Sequence, residues 1–371
     1  MKLLVQPGDG IAPLIKAVEA AKHSIEILIF RFDRRELENV LVKAANRGVF
    51  VHALIASTNR GGDKSLRELE ARLLAAGVTV GRTASDLVRY HGKFMIVDRR
   101  ELYLLAFNFT FADIERSRSF GVMTAAPRLV QEASKLFDAD AKRQTYQGGN
   151  SSFLVSPINA RRQLAAFIKG ARKELLIYDP KVSDPAMIRL LEDRAKAGVE
   201  IRIIGRMTRR TQRIPVRKLA QRLHTRTIVR DGQSAFVGSQ SLRTLELDER
   251  REVGILFRDA RVCKRLAECF AEDWENAGES AEKTTNATPA VLVAKRVAKV
   301  ITKELPAVVP MMEVAMKEIG APSEMEFDRS EIEGAVRDAV KQAVKDAVRD
   351  VVQDVVEPAL EEELEDTRAA S

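Results

Sequence analysis

The sequence is poor in the residues that support several kinds of site. It has two cysteines, one tryptophan and four histidines in 371 residues, and aromatic side chains make up 5% of the chain. Cys263 and Cys269 cannot by themselves build a disulfide framework or a four-ligand zinc site, so a reducing compartment is expected. No apolar run is long enough to cross a bilayer, and the turn at Pro7 comes too early for a secretory signal. The composition therefore predicts a cytoplasmic protein without a transmembrane span. No cofactor is expected.

Charge is divided unevenly along the chain. The formal net charge is +8, but residues 281–371 hold 12 basic and 19 acidic residues, a net charge of −7. The first 280 residues therefore carry a net charge of +15. A body this basic favours a partner or substrate that bears phosphates, such as nucleic acid or anionic lipid head groups. The acidic segment is expected to be a separate unit.

An internal repeat organises the basic body. Residues 14–55 read as a helix, an apolar strand, a helix that stops at Gly48 and a second strand, and residues 163–204 repeat this order with a stop at Gly198. Such alternation is the pattern of an α/β unit. We therefore predict two tandem α/β units packed together, followed by an α-helical tail. The predicted units are residues 1–147 and 153–280, with closing helices near 129–143 and 261–276, and the acidic tail is residues 281–371.

Two of the four histidines open the same short motif, once in each unit. The motif is a histidine, a basic residue two positions later and an aspartate seven positions later, beside a predicted strand. Its members are His91, Lys93 and Asp98 in the first unit, and His224, Arg226 and Asp231 in the second. Because side chains alternate along a strand, the histidine and the basic residue share a face. An imidazole next to a fixed positive charge, supplied once by each unit, is what symmetrical attack on a phosphodiester requires.

With this repeated motif, residues 1–280 resemble the phospholipase D superfamily, whose pattern His-x-Lys-x4-Asp-x6-Gly-Ser-x-Asn occurs twice. The first copy keeps its last residue as Asn108 and has Leu105 and Ala106 in place of Gly-Ser. The second copy keeps Gly-Ser, with Ser239, and has Ser241 in place of the asparagine.

The resemblance also covers an acidic residue downstream of the motif, which matches Glu252 in the second unit. The first unit has Ser119 at the corresponding place. The resemblance implies a metal-independent, two-step reaction through a phosphohistidine, with Glu252 orienting an imidazole through its other ring nitrogen. The residues themselves do not order the two histidines. The roles implied by the family are His91 as nucleophile, His224 as general acid and then base, Lys93, Arg226 and Asn108 as holders of the phosphoryl oxygens, and Asp98, Asp231 and Ser239 as supports.

A basic stretch from Arg206 to Lys218 follows a predicted strand just before the second motif. Because loops at strand ends form the binding rim of α/β domains, Arg209, Arg210 and Arg213 are predicted to border the site and attract anionic substrate. The alternative is a solvated charged loop. No aromatic residue interrupts the stretch, so base stacking is poorly supported, which favours phospholipid over single-stranded nucleic acid.

The tail contains a four-residue repeat over residues 334–356, built from an Ala-Val or Val-Val pair followed by two polar residues. Four residues turn an α-helix by about 400°, so the apolar stripe winds slowly round the helix and favours a right-handed supercoil with a partner helix. The polar face mixes basic and acidic residues and lacks bulky anchors, which is untypical of helices that lie on anionic membranes. The segment is therefore predicted to mediate self-association.

Taken together, the sequence predicts a phospholipase D-type phosphodiester hydrolase or phosphatidyltransferase that acts on phospholipids, as in the cardiolipin synthase-like branch, with peripheral membrane contact. A metal-independent nuclease is the first alternative, supported by the net charge of +15. A catalytically inactive phosphodiester-binding scaffold is the second, supported by Arg226 and Leu105 at positions where the family has lysine and glycine.

Overall fold

The structure is a computed structural model that describes residues 1–56, 63–208 and 212–279. The chain from Met1 to Ser280 forms one compact unit. The predicted helical tail, residues 281–371, lies outside the described residues, as does the segment 334–356 predicted to self-associate.

The first half alternates strands and helices in the order that the repeat predicts. Its strands are β1 (Lys2–Gln6), β2 (Ser24–Ile29), β3 (Phe50–Ile55), β4 (Thr79–Arg82), β5 (Arg89–Tyr90), β6 (Phe94–Val97), β7 (Glu101–Leu105) and β8 (Ser117–Thr124). Its helices are α1 (Ala12–Ala20), α2 (Arg35–Asn46), α3 (Asp63–Ala75), α4 (Phe111–Glu115) and α5 (Pro127–Ala141).

The second half repeats this order with longer central strands. Its strands are β9 (Phe153–Val155), β10 (Glu174–Val182), β11 (Glu200–Met207), β12 (Val216–Lys218), β13 (Arg222–Leu223), β14 (Arg226–Arg230), β15 (Ser234–Gly238), β16 (Arg250–Arg251), β17 (Val253–Phe257) and β18 (Gly278–Glu279). Its helices are α6 (Ala160–Lys169), α7 (Pro185–Lys196), α8 (Thr244–Asp248) and α9 (Ala260–Glu275).

Each half builds one mixed sheet around an equivalent central strand. In the first sheet, ordered β1-β8-β7-β6-β2-β3-β4, strand β2 is parallel to β3 and antiparallel to β6. In the second, ordered β18-β12-β11-β10-β14-β15-β17-β9, strand β10 is parallel to β11 and antiparallel to β14. The prediction of two tandem α/β units is therefore confirmed.

The apolar runs that predicted the central strands are buried because both faces of each sheet are covered. From Ile25 to Ile29 every side chain of β2 is buried, and the one charged member, Glu26, accepts a hydrogen bond from Arg99 Nε at 2.6 Å. The helices α2 and α7 stop as predicted. Gly48 and Gly198 follow them with φ of +85° and +89°, a left-handed conformation that ends a helix at no steric cost in glycine.

One apolar core joins the two halves. It contains side chains from the inner faces of both sheets together with the closing helices α5 and α9. Tyr178 of the second sheet packs edge-on against Phe120 of the first, and also against Phe270 of α9. The two sheets thus share one core through their inner faces, together with the two closing helices.

Candidate active site

The first motif lies in the three-residue segment between β5 and β6. His91 and Lys93 are 7% and 1% exposed. The Lys93 side chain folds back so that Nζ donates a hydrogen bond to the carbonyl oxygen of His91 at 2.7 Å. Burial of this ammonium group lowers the pKa of Lys93 to about 7, because the charged form loses its hydration.

The second motif repeats this geometry between β13 and β14. Arg226 Nη1 donates to the carbonyl oxygen of His224 at 3.0 Å, as Lys93 does in the first half. The wider guanidinium makes further contacts, since its Nε donates to Ser241 Oγ at 3.1 Å and its Nη2 lies 3.6 Å from Glu246 Oε2. Arg226 is therefore held on three sides inside its own half.

Each motif is docked on the backbone of the other half. The amide of His91 donates to the carbonyl of Arg251 at 2.7 Å, and the amide of His224 donates to the carbonyl of Arg118 at 3.0 Å. The strands that lead into the motifs pair in the same reciprocal way, β5 with β16 and β13 with β8. This exchange brings the two motifs into one region, although 133 positions separate His91 from His224.

Glu252 holds the imidazole of His91 from across this interface. Its two carboxylate oxygens lie 2.8 and 3.1 Å from Nδ1 of His91. The carboxylate is fully buried, and burial raises its pKa. Ser239 braces the next residue, because its Oγ accepts the Val253 amide at 3.0 Å. With Nδ1 engaged, Nε2 is the nitrogen of His91 that remains for chemistry.

His224 has a different partner, which the motif pattern did not indicate. Ser119 occupies the place that Glu252 holds in the second half, and among the described residues Ser119 Oγ and His224 Nδ1 find no hydrogen-bond partner. The nearest carboxylate is instead Asp113 of α4, whose Oδ2 lies 3.5 Å from His224 Nε2. Asp113 follows Asn108 by five residues, a spacing that Glu246 and Ser241 share. That shared spacing is the sequence signal that could have found it.

Asp113 is held as a buried anion. Burial alone raises the pKa of its carboxyl group, but the field of His224 and a hydrogen bond from Arg222 outweigh it and lower the pKa to about 2. The amide and the Nδ2 of Asn108 also donate to Asp113, at 2.9 and 2.7 Å. Asn108 and His224 thus share one carboxylate.

The two imidazoles are kept neutral in the free protein. Burial lowers the pKa of His91 well below its usual value, and the positive fields of Lys93 and Arg226 lower it further. Burial also lowers the pKa of His224 well below its usual value, and here Asp113 acts in the opposite direction while Arg226 and Lys93 reinforce the decrease. Each imidazole therefore feels the cation of both motifs.

The aspartates that end the motifs turn away from this region. Asp98 and Asp231 both have φ of +53°. Asp98 accepts hydrogen bonds from three successive amides before β2, those of residues 22–24, and Asp231 accepts the equivalent three before β10, those of residues 172–174. Their side chains clamp the turn that leads into each central strand.

The predicted basic rim is described only in part. Arg209 and Arg210 lie outside the described residues, whereas Arg213 is exposed. Two other members of the stretch, Arg206 and Lys218, line a groove together with Arg222, two residues before His224. In the part of the chain that the structure describes, no group of three or more histidine, cysteine or acidic residues could hold a metal ion, and no helix is long and apolar enough to cross a membrane.

Sequence comparison identifies both halves. A family model described as "Cardiolipin synthase, PLD-like domain" matches residues 14–141 and 164–274. The mitochondrial cardiolipin hydrolase of Danio rerio is 29% identical over 130 residues, which are 34% of this chain and 56% of that protein. A polyphosphate kinase of Pseudomonas aeruginosa is 24% identical over 229 residues, 55% of this chain and 32% of the kinase. The chain thus spans about half and about a third of the length of these two relatives.

Solved structures share the fold. The polyphosphate kinase of Porphyromonas gingivalis superposes with a TM-score of 0.63 at 18% identity, covering 80% of this chain and 55% of the kinase. The phosphatidylserine synthase of Haemophilus influenzae superposes with a TM-score of 0.59 at 11% identity, covering 81% of this chain and 93% of the synthase. The family model covers well over half of the chain and contains both histidine motifs, so the chain belongs to the phospholipase D-like superfamily.

Proposed function

We propose that this chain hydrolyses a phosphodiester, or transfers its phosphatidyl group, through a phosphohistidine on His91, with phospholipid as the substrate. The observation that carries the proposal is the unequal anchoring of two buried imidazoles. Glu252 fixes His91 through Nδ1 at 2.8 Å, which presents Nε2 as the attacking nitrogen, whereas Asp113 lies 3.5 Å from His224. A carboxylate on Nδ1 of His91 orients the ring and leaves Nε2 for attack, which suits a nucleophile, whereas a carboxylate beside Nε2 of His224 favours a proton on that nitrogen, which suits a proton donor.

In the first step, Nε2 of His91 attacks phosphorus and forms a P–N bond while the P–O bond to the leaving group breaks. His224, in its protonated form, gives its proton to the departing oxygen. The negative charge of the bound phosphodiester and of Asp113 both favour that protonated form and so oppose the effect of burial. The products of this step are the free alcohol and a phosphohistidine.

In the second step, His224, now neutral, takes a proton from water or from an acceptor alcohol. The oxygen of that molecule attacks phosphorus and the P–N bond breaks, which returns His91 to its neutral form and His224 to its protonated form. Lys93 and Arg226, together with Asn108, neutralise the non-bridging oxygens in both steps of the proposed reaction. Asp98, Asp231 and Ser239 support the scaffold through the backbone contacts described above.

Two observations support phospholipid as the substrate class. A curated relative, 29% identical over its matched region, is named a cardiolipin hydrolase. Aromatic side chains for base stacking are few in this chain. A metal-independent nuclease is the second candidate, and the net charge of +15 on the first 280 residues favours it.

One assay separates these activities from simple binding. The full chain is incubated in EDTA with radiolabelled phospholipid in mixed micelles and, in parallel, with single- and double-stranded DNA. Head-group or glycerol release that is lost in His91→Ala supports the lipid activity, and strand cleavage lost in the same variant supports the nuclease. Phosphodiester binding without turnover by either route identifies an inactive binding protein.

A further inference from the structure

A groove of about 360 Å³ opens beside the second motif, at the carboxyl end of β11. Its walls come from the end of β11, from β12 and from the segment that leads through β13 to His224. Gly205 forms part of the wall, with φ of +142° and a position where a Cβ atom would lie 1.8 Å from the carbonyl oxygen of Asp179. Only glycine fits so close an approach, so no side chain from this position fills the groove.

The groove carries positive charge without compensation from its own walls. Arg206, Lys218 and Arg222 line it, and its described lining includes no carboxylate. Arg206 and Lys218 form no ion pair with any described residue. Arg161, by contrast, is paired with both Asp184 and Asp248. Cations gathered around one cavity repel one another, and an anion bound between them removes that repulsion.

The groove is joined to the proton donor through one carboxylate. Arg222 donates from Nη1 to Asp113 Oδ1 at 2.5 Å and to Ser117 Oγ at 2.8 Å. The other oxygen of Asp113 lies 3.5 Å from Nε2 of His224. Arg222 and Leu223 line the groove and directly precede His224 in the chain, so the groove adjoins the residue that faces the leaving oxygen in the mechanism above.

We infer that this groove binds a second phosphate, carried by the leaving group of the substrate. The inference rests on the proposed function, which defines where the leaving group departs. The chemistry of the ligand is inferred from the residues that line the groove. Guanidinium and ammonium groups are the side chains that bind phosphate oxygens, and arginine does so with two parallel hydrogen bonds. The two sources of such a group are a lipid with two phosphodiesters, such as diphosphatidylglycerol, and a free polyphosphate chain.

The first test compares two lipids with the full chain. In diphosphatidylglycerol the leaving group carries a phosphate, and in phosphatidylglycerol the leaving glycerol does not. The variant Arg206→Gln/Lys218→Gln is expected to raise KM for diphosphatidylglycerol about tenfold, as befits the loss of charge-assisted contacts at an exposed site. Its kcat, and its KM for phosphatidylglycerol, are expected to stay within about twofold of the wild-type values.

A matched control removes the same charge elsewhere. Lys16 and Arg258 line two other surface grooves, whose linings include neither of the motif histidines nor their basic partners. The variant Lys16→Gln/Arg258→Gln is expected to leave both KM values unchanged. Thermal unfolding of both double variants checks that the fold is intact. Equal effects of the two double variants on diphosphatidylglycerol would overturn the inference, because the groove would then contribute only general charge.

The second test does not depend on catalysis. Calorimetry measures the binding of tripolyphosphate to the full-length His91→Ala protein, with and without the groove substitutions. About tenfold weaker binding in the groove variant supports the subsite even if the wild type cleaves no lipid, in which case the proposed function alone fails. The groove substitutions could weaken tripolyphosphate binding and leave the KM for diphosphatidylglycerol unchanged. That result identifies a free phosphate chain as the ligand of the groove. Unchanged affinity together with unchanged KM overturns the groove assignment.

Discussion

The two halves of the body have the same scaffold and different chemical groups. In both, an aspartate clamps three amides before the central strand, and the basic residue of the motif folds back on the histidine carbonyl. In both, the histidine amide is bonded to the opposite half. The carboxylates break the symmetry, since Glu252 faces His91 whereas Ser119 stands at the equivalent place before His224. The two halves therefore share the backbone contacts that hold each motif, and they differ in the side chains around each imidazole.

Replacing the two histidines by alanine gives the largest predicted effects and tests the division of roles. His91→Ala removes the proposed nucleophile, so activity is expected to fall by about 10⁴-fold or more on every phosphodiester. His224→Ala removes the proposed proton donor, so the loss in the first step is expected to be about 10²- to 10⁴-fold for an alkyl leaving group and much smaller for p-nitrophenol, which departs without a proton. The rate of the first turnover on phosphatidylglycerol and the burst of p-nitrophenol from bis(p-nitrophenyl) phosphate measure the difference, because the second step uses His224 on both substrates.

The reverse result would exchange the assignments. If His224→Ala abolishes cleavage of the p-nitrophenyl ester and His91→Ala retains it, the nucleophile belongs to the second half. If His91→Ala matches the wild type on both substrates, neither half carries the proposed chemistry.

Asp113 is predicted to position His224 and favour its protonated form. Asp113→Asn keeps the shape and the acceptor for Asn108 but removes the charge, so we expect the pKa of His224 to fall further. The decline of kcat/KM with rising pH should then begin at lower pH, with a loss of about 10- to 100-fold at pH 7. Glu246→Gln is the matched control, because Glu246 accepts the Ser241 amide at 2.7 Å in the equivalent place but faces Arg226. An equal shift of the pH profile in both variants would assign Asp113 a structural role only.

The charge of Lys93 depends on pH near neutrality. Burial lowers the pKa of Lys93 to about 7, so its charge is lost above that pH and kcat/KM should fall more steeply there. Lys93→Arg gives the first half the residue of the second and keeps the charge. Its activity relative to wild type is therefore expected to rise about fivefold between pH 7 and pH 8. Arg226→Lys should add a second titrating ammonium group to the pH profile. Parallel pH profiles for the wild type and Lys93→Arg would contradict the lowered pKa of Lys93.

Replacing the clamping aspartates, Asp98 and Asp231, should give the smallest effects. The loss of stability should be the same for both replacements. Burial raises the pKa of Asp98 and of Asp231, but the amide hydrogen bonds outweigh it and lower both values. The folded-state pKa lies below the unfolded one, so the stabilisation is complete above about pH 4 and is lost as pH falls through the folded-state pKa. Asp98→Asn and Asp231→Asn should each reduce the free energy of unfolding by about 1 kcal/mol at pH 7. Denaturant unfolding measures this free energy. If only one of the two variants is destabilised, the two clamps do not contribute equally to stability.

The repeat allowed much of the fold to be predicted. The apolar run at residues 25–30 corresponds to β2, and the closing helices begin within two residues of the predicted positions, as α5 and α9. These features are local, because hydrophobic period and glycine stops depend on neighbouring residues alone. The pairings of β5 with β16 and of β13 with β8 could not be predicted, since they join short segments far apart in sequence.

In the site too, only the features that depend on local sequence could be predicted. The spacing of the motifs located the histidines and their cations, and the resemblance pointed to Glu252. Asp113 was missed because its importance depends on the opposite half, where its carboxylate meets His224. The lowered pKa of Lys93 likewise follows from burial between the halves, which no local pattern encodes.

The reciprocal docking of β5 on β16 and of β13 on β8 has a consequence for any shortened form of this molecule. A fragment that stops after α5 would keep His91 yet lose the strand that supports it, and the complementary fragment would suffer the same defect. Mixed together, the two pieces could restore one another, whereas either alone could recover a site only by associating with its own duplicate. Fusion into a single polypeptide makes that association permanent, and it frees each copy to specialise.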